Sequence, residues 1–210
     1  MAVTSGNGIQ SLLTLTVLLL AGLAAAYAPL SDASLRAVPS GGGDFDIRTG
    51  ALLSPILIPR VPGTPGSAKA QEHFASFFKS QLPLWTAEWH NSTSTTPATG
   101  STLVPFSNLI FRRDPPWAKT GDVGRLTLVA HYDSLYRPEG FIGATDSAAS
   151  CALLMHVARS VDAALSRKWE RGSEGDGLED VEEKGVQIVF LDGEEAWVSW
   201  TETDSIYGAR

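Results

Sequence analysis

The sequence predicts an α/β fold, a largely parallel mixed sheet flanked by helices, and three observations lead there. Two short β-rich runs, Arg125–Ala130 and Val186–Leu191, stand on either side of a helical stretch, Ser147–Leu165. Within that stretch Cys151, Leu154, Met155, Ala158 and Val161 fall on one stripe at helical spacing. Strand, helix, strand in this order is the pattern of a right-handed crossover between parallel strands. With 210 residues, 43% of them hydrophobic, the chain has room for one sizeable packed domain with flanks, which excludes a wholly disordered protein.

The elements follow from the N-terminus. Ser11–Ala28 is uncharged and apolar, and small residues at Ala24 and Ala26 suit cleavage before Tyr27. Residues 1–26 are therefore expected to be a cleaved signal peptide that sends the protein into the secretory pathway, with an uncleaved membrane anchor as the alternative. Residues 27–50, rich in Ser, Gly and Asp, read as a flexible linker, and 51–210 as the catalytic domain. Ile58–Gly66 is stiffened by proline and punctuated by glycine, so a structured loop is expected there. Ser67 is then expected to cap a helix carrying Phe74, Phe77, Phe78 and Leu82 on its apolar face, ended by Pro83. Asn91-Ser92-Thr93 is a glycosylation sequon in what reads as a Ser/Thr-rich loop. Gly100–Arg112 reads as a strand, and the acidic stretch 170–183 as a solvated surface loop.

Charge narrows the function. Lys+Arg 16 against Asp+Glu 23 gives a net charge of −7, which argues against nucleic-acid binding, and the single cysteine, Cys151, allows no intrachain disulfide. In an open α/β sheet, ligands bind beyond the carboxyl ends of the strands. His131 and Asp133 follow the first run, Glu194 and Glu195 follow the second, and Asp146 opens the intervening helix. Three segments thus bring one histidine and four carboxylates to one sheet edge. So much negative charge in one place is costly without a cation or a proton. Taken singly each has a plain structural role, such as Asp146 capping its helix. Taken together they point to a metal site, and His and carboxylate ligands suit zinc with a neighbouring carboxylate as proton shuttle.

The residues carrying this site resemble a known family. Ala130–Ser134, Gly143–Ala148 and Phe190–Ala196 are similar to the metal-site motifs of the zinc aminopeptidase superfamily, and within it to the glutaminyl-peptide cyclotransferases. The Arg60–Gly66 loop, Trp200 and Asp204–Arg210 fit the same branch, so the likeness runs from about Leu52 to the end. The resemblance implies a zinc exopeptidase-like fold and conversion of N-terminal glutamine of peptides to pyroglutamate with release of ammonia. It makes Asp146 and Glu195 zinc ligands, Glu194 the general acid/base, and Trp200 part of the substrate pocket. His131 stands where the aminopeptidases bind metal and the single-zinc cyclases do not, so its role stays open. A zinc aminopeptidase is the alternative activity, although the residues after Asp146, Ser147-Ala148-Ala149, depart from the peptidase pattern. A non-catalytic fragment or pseudoenzyme is the third reading. Ala130 and Cys151 occupy the positions of a disulfide in animal cyclases, which cannot form here. The family's domain continues past the equivalent of Arg210 and supplies a further histidine ligand, so the C-terminal part of the domain is expected to be missing and this chain alone is expected to be nearly inactive, poorly stable and to expose apolar surface. The partners implied are peptides with N-terminal glutamine, with neither nucleic acid nor a stable membrane partner.

Overall fold

The computed structural model describes residues 31–119, 121–173 and 184–210. The proposed signal peptide, 1–26, and the greater part of the acidic stretch, 174–183, lie outside them. Contacts divide the chain into Met1–Ser40 and Gly41–Arg210. In the first unit a short helix, α1 (Asp32–Arg36), is capped by the Ser31 side chain and buries none of its residues.

The second unit is built on a four-stranded mixed sheet in the order β1-β2-β4-β3. The strands are β1 (Thr86–Ser94), β2 (Val104–Arg113), β3 (Gly124–His131) and β4 (Lys184–Leu191). The expected crossover is present: β3 and β4 pair parallel, from Gly124 opposite Lys184 to His131 opposite Leu191. β1 and β2 form an antiparallel hairpin, and β2 joins β4 antiparallel. The parallel ladder is therefore the β3–β4 pair, because that is where a helix makes the connection. β3 ends the sheet, and Leu126 and Val129 on it are exposed.

Two helices supply the rest of the core. Helix α2 (Pro65–Gln81) starts one turn earlier than its sequence suggests. Its cap is Thr64, whose hydroxyl accepts the Ser67 backbone N–H at 3.4 Å, while Ser67 itself is buried within the first turn. Thr64 wins because Pro65 occupies the first helical position, where its missing N–H costs nothing. The apolar face lies as expected: Phe74 stacks on Phe190 with centroids 4.1 Å apart, and Phe78 on Phe111 at 3.8 Å. Truncating such a ring to alanine costs roughly 3–5 kcal/mol in protein cores, so these two stacks anchor α2 on the sheet. Helix α3 (Ser150–Ser173) runs further than expected at its C-terminus. It buries Cys151, Leu154, Met155 and Ala158 against the same cluster, with Val161 partly buried. Cys151 is a free thiol.

The region read as a linker also contributes. Gly42–Phe45 forms a helical turn, Phe45 packs on the core, and Asp44 pairs with Arg159 of α3. Asn91 lies on strand β1 and is not in a loop; β1 is exposed along nearly its whole length, so its sequence lacks the alternation that marks a half-buried strand.

Candidate metal centre

The parallel pairing of β3 and β4 puts their carboxyl ends side by side, and the Tyr132 N–H donates to Leu191 O at 2.8 Å. His131 closes β3, and Glu194 and Glu195 follow β4 by a tight turn. That turn needs Gly193: its φ is +65°, and a Cβ there would sit 2.4 Å from the Phe106 ring. Asp146 arrives from the irregular turn Ala144–Ala149, where Asp146 and Ser147 both leave helical geometry. Its carboxylate does not cap α3. It faces His131 instead, with Oδ1 2.8 Å from His131 Nε2.

His131, Asp146 and Glu195 each offer one ligand atom, and these atoms all lie within 4.8 Å of one another. The three segments named from sequence thus converge, and His131, whose role the resemblance left open, belongs to the group. Glu194 stands beside it, Oε2 3.8 Å from His131 Nε2. Trp200 lies in the loop after the glutamates and is largely exposed, at 58%. Among the described residues the other histidines, 73, 90 and 156, join no such group.

Two further aspartates organise this geometry: Asp133, which the sequence placed at this edge without a particular role, and Asp204, which it left out of the cluster. Asp133 is wholly buried and accepts the backbone N–H groups of Glu194 and Glu195, both at 3.0 Å. Its Oδ1 also lies 3.3 Å from His131 Nδ1, so one carboxylate orients the histidine and the glutamate pair together. The two-residue spacing from His131 at a strand end was the available signal. Asp204 does similar work for the Trp200 loop, accepting from the backbone N–H groups of Trp197, Val198 and Ser199 and from the Tyr207 hydroxyl.

The proton affinities of the cluster follow from its burial and from its neighbours. Burial pushes Glu195 up to about 7, aided by the charge of Asp133. Burial raises Glu194 as well, with His131 opposing and Asp133 and Asp146 adding to the rise. Burial alone pulls His131 down, but the hydrogen bond and charge of Asp133, then Asp146 and Glu194, outweigh it and lift His131 to about 9. Carboxylates with raised proton affinity around one histidine are a set that a proton or a cation would neutralise. One imidazole and two carboxylates, oriented from beneath by a buried aspartate, fit a catalytic metal with an open coordination position.

A pH dependence follows. Burial, then the charge of Asp133, also raises Asp192 to about 7. Asp192, Glu195 and His131 all bind protons more tightly folded than unfolded, so their contribution to stability is full below their ordinary values of 3.8, 4.5 and 6.5 and is lost as pH rises to about 7, 7 and 9. Metal-free protein should therefore melt at progressively lower temperature as the buffer is raised from about pH 5 to about pH 9. Metal affinity should run the other way, since the ligands bind deprotonated. Thermal unfolding and metal titrations across that range check both; a flat or rising melting profile in metal-free protein would contradict the proton assignment.

Residues 115–210, which include every residue of the cluster, match the model of peptidase family M28. The chain is 38% identical over 186 residues to a glutaminyl-peptide cyclotransferase-like protein of Mus musculus, covering 86% of this chain and 43% of that protein. It is 37% identical over 163 residues to a glutaminyl-peptide cyclotransferase of Gloydius blomhoffii, covering 75% and 41%. Among solved structures it superposes on a glutaminyl cyclase of Macrostomum lignano with TM-score 0.65 and 29% identity, over 88% of this chain and 48% of that one. A Zn-dependent exopeptidase from Parabacteroides distasonis shares the fold at TM-score 0.56 and 21% identity, over 82% and 56%. The chain spans less than half the length of the curated relatives it matches.

Proposed function

We propose, from its likeness to glutaminyl-peptide cyclotransferases over most of its length and the match of residues 115–210 to peptidase family M28, that this chain supplies the catalytic metal site of a zinc-dependent glutaminyl-peptide cyclotransferase. The observation that carries the reading is the placement of Glu194. It is held beside the His131, Asp146 and Glu195 group by its own backbone bond to Asp133, with a carboxyl whose proton affinity is raised.

Asp146 and Glu195 would hold the zinc ion, with His131 as the third candidate ligand. When bound, the ion polarises the γ-carbonyl of an N-terminal glutamine as a Lewis acid. The substrate's α-amine attacks that carbonyl carbon, and the new C–N bond closes the ring as the bond to the amide nitrogen breaks. Glu194 takes the proton from the amine and delivers it to the departing nitrogen, which leaves as ammonia. A base that must accept and return one proton works best with a pKa near the working pH, and burial moves Glu194 in that direction. Trp200, exposed in the loop after the glutamates, offers an apolar face to the substrate peptide.

The membership of His131 in the ligand group favours a second reading, a metallo-aminopeptidase. Products separate the two. Incubated with a peptide beginning in glutamine, a cyclotransferase releases ammonia and leaves a full-length, blocked peptide. We expect that result by ammonia assay and mass spectrometry; release of free glutamine and a peptide shorter by one residue would transfer the assignment to peptidase.

The same reading places the protein in the secretory pathway through a cleaved signal peptide at 1–26, with 27–50 leading into a catalytic domain at 51–210. Asn91 is the proposed glycan acceptor, and its exposure on β1 supports access.

A further inference from the structure

Arg60 is fully buried, and among the described residues it is paired with no carboxylate. Its partners are backbone carbonyls from three segments. Nε donates to Tyr132 O at 2.6 Å, Nη1 to Ile142 O at 2.7 Å, to Ile58 O at 2.9 Å and to Ile56 O, and Nη2 to Gly143 O at 3.2 Å. Its backbone N–H donates to Ser134 Oγ at 2.8 Å. Two of these segments carry the site: Tyr132 lies between His131 and Asp133, and 142–143 open the turn that presents Asp146.

Burying a guanidinium is costly, and carbonyls alone return less than a carboxylate would. Cys151 and then Asp133 act on it electrostatically, and Asp133 is the carboxylate that holds Glu194 and Glu195. The turn at Gly143 leaves no slack: its φ is +48°, and a Cβ there would lie 2.4 Å from Asp146 O and 3.3 Å from Arg60 Nη2. A planar fork with five N–H donors can reach carbonyls on several sides at once, which a lysine ammonium on a flexible stem cannot.

We propose that Arg60 is a positioning residue of the metal site: its guanidinium ties the 142–146 turn to the end of β3 and thereby fixes Asp146 against His131 for metal binding. The inference rests on the metal-site reading above, and zinc uptake by the unaltered chain tests that reading separately. The experiment is a zinc titration of the full chain against a competing chromophoric chelator, with thermal unfolding of the metal-free protein beside it. Arg60→Lys keeps the charge and removes the fork. It should weaken zinc binding about ten- to hundredfold, the range found for residues that orient metal ligands from behind, while remaining folded at the titration temperature. Unchanged affinity in folded Arg60→Lys overturns the proposal. Should Arg60→Lys fail to fold, Gly143→Ala decides, since it presses on the same junction and leaves the buried charge in place. A comparable loss of affinity supports the proposal, and wild-type affinity overturns it. If the unaltered chain takes up no zinc, the metal-site reading fails and this inference with it.

Discussion

Where the protein turns over Gln-peptides, Glu194→Gln should retain bound metal and lose that turnover by roughly a hundred- to ten-thousandfold, the usual worth of a positioned acid/base. The amide is nearly isosteric with the carboxylate, so the backbone bond from residue 194 to Asp133 survives and the 131, 146 and 195 group keeps its shape. What disappears is a group able to accept a proton from the amine and pass it to the leaving nitrogen. Metal content by elemental analysis and steady-state kinetics check the two halves. Turnover near that of the unaltered chain, with metal still bound, would show that a different residue moves the proton.

Asp146→Asn should cost at least as much by another route. Asp146 is one of two carboxylates in the ligand group, and its side chain is the exposed one, open to an incoming ion. An amide oxygen is a weaker zinc ligand, and the lost charge lowers the attraction for a dication. The loss in affinity should exceed the ten- to hundredfold typical of residues behind the ligands. Chelation should abolish turnover in the unaltered protein, and added zinc should restore it. The same zinc concentration should leave Asp146→Asn inactive. Full turnover in metal-free protein, or in Asp146→Asn, would remove the metal from the account.

How much of this was legible in the sequence depends on whether the cause was local. The faces of α2 and α3 were, because Phe74, Phe77 and Phe78 on the first and Cys151, Met155 and Ala158 on the second are apolar at 3.6-residue spacing and the core takes them. So was the sheet edge bearing His131, Asp146, Glu194 and Glu195, since strand, helix, strand fixes where carboxyl ends lie. The cap of α2 was missed by three residues, because Pro65 rather than the nearest serine sets the first turn. β1 was missed because an exposed edge strand of polar residues has no period to read. The part played by His131 needed distances between segments that sequence does not supply. The tie from Arg60 to the site was invisible for the same reason: its acceptors are backbone carbonyls, up to 83 residues away in sequence, and a carbonyl leaves no mark in the sequence.

His131, Asp146 and Glu195 are expected to close on a zinc ion with Glu194 beside it. The measurement that bears on it most directly is anomalous diffraction at the zinc edge from crystals grown with equimolar zinc. A single strong peak within bonding distance of His131 Nε2 and of carboxylate oxygens of Asp146 and Glu195, with Glu194 outside the first coordination sphere, is the result expected. A peak bound by Glu194 in place of Glu195, or zinc bound only elsewhere on the protein, would contradict it.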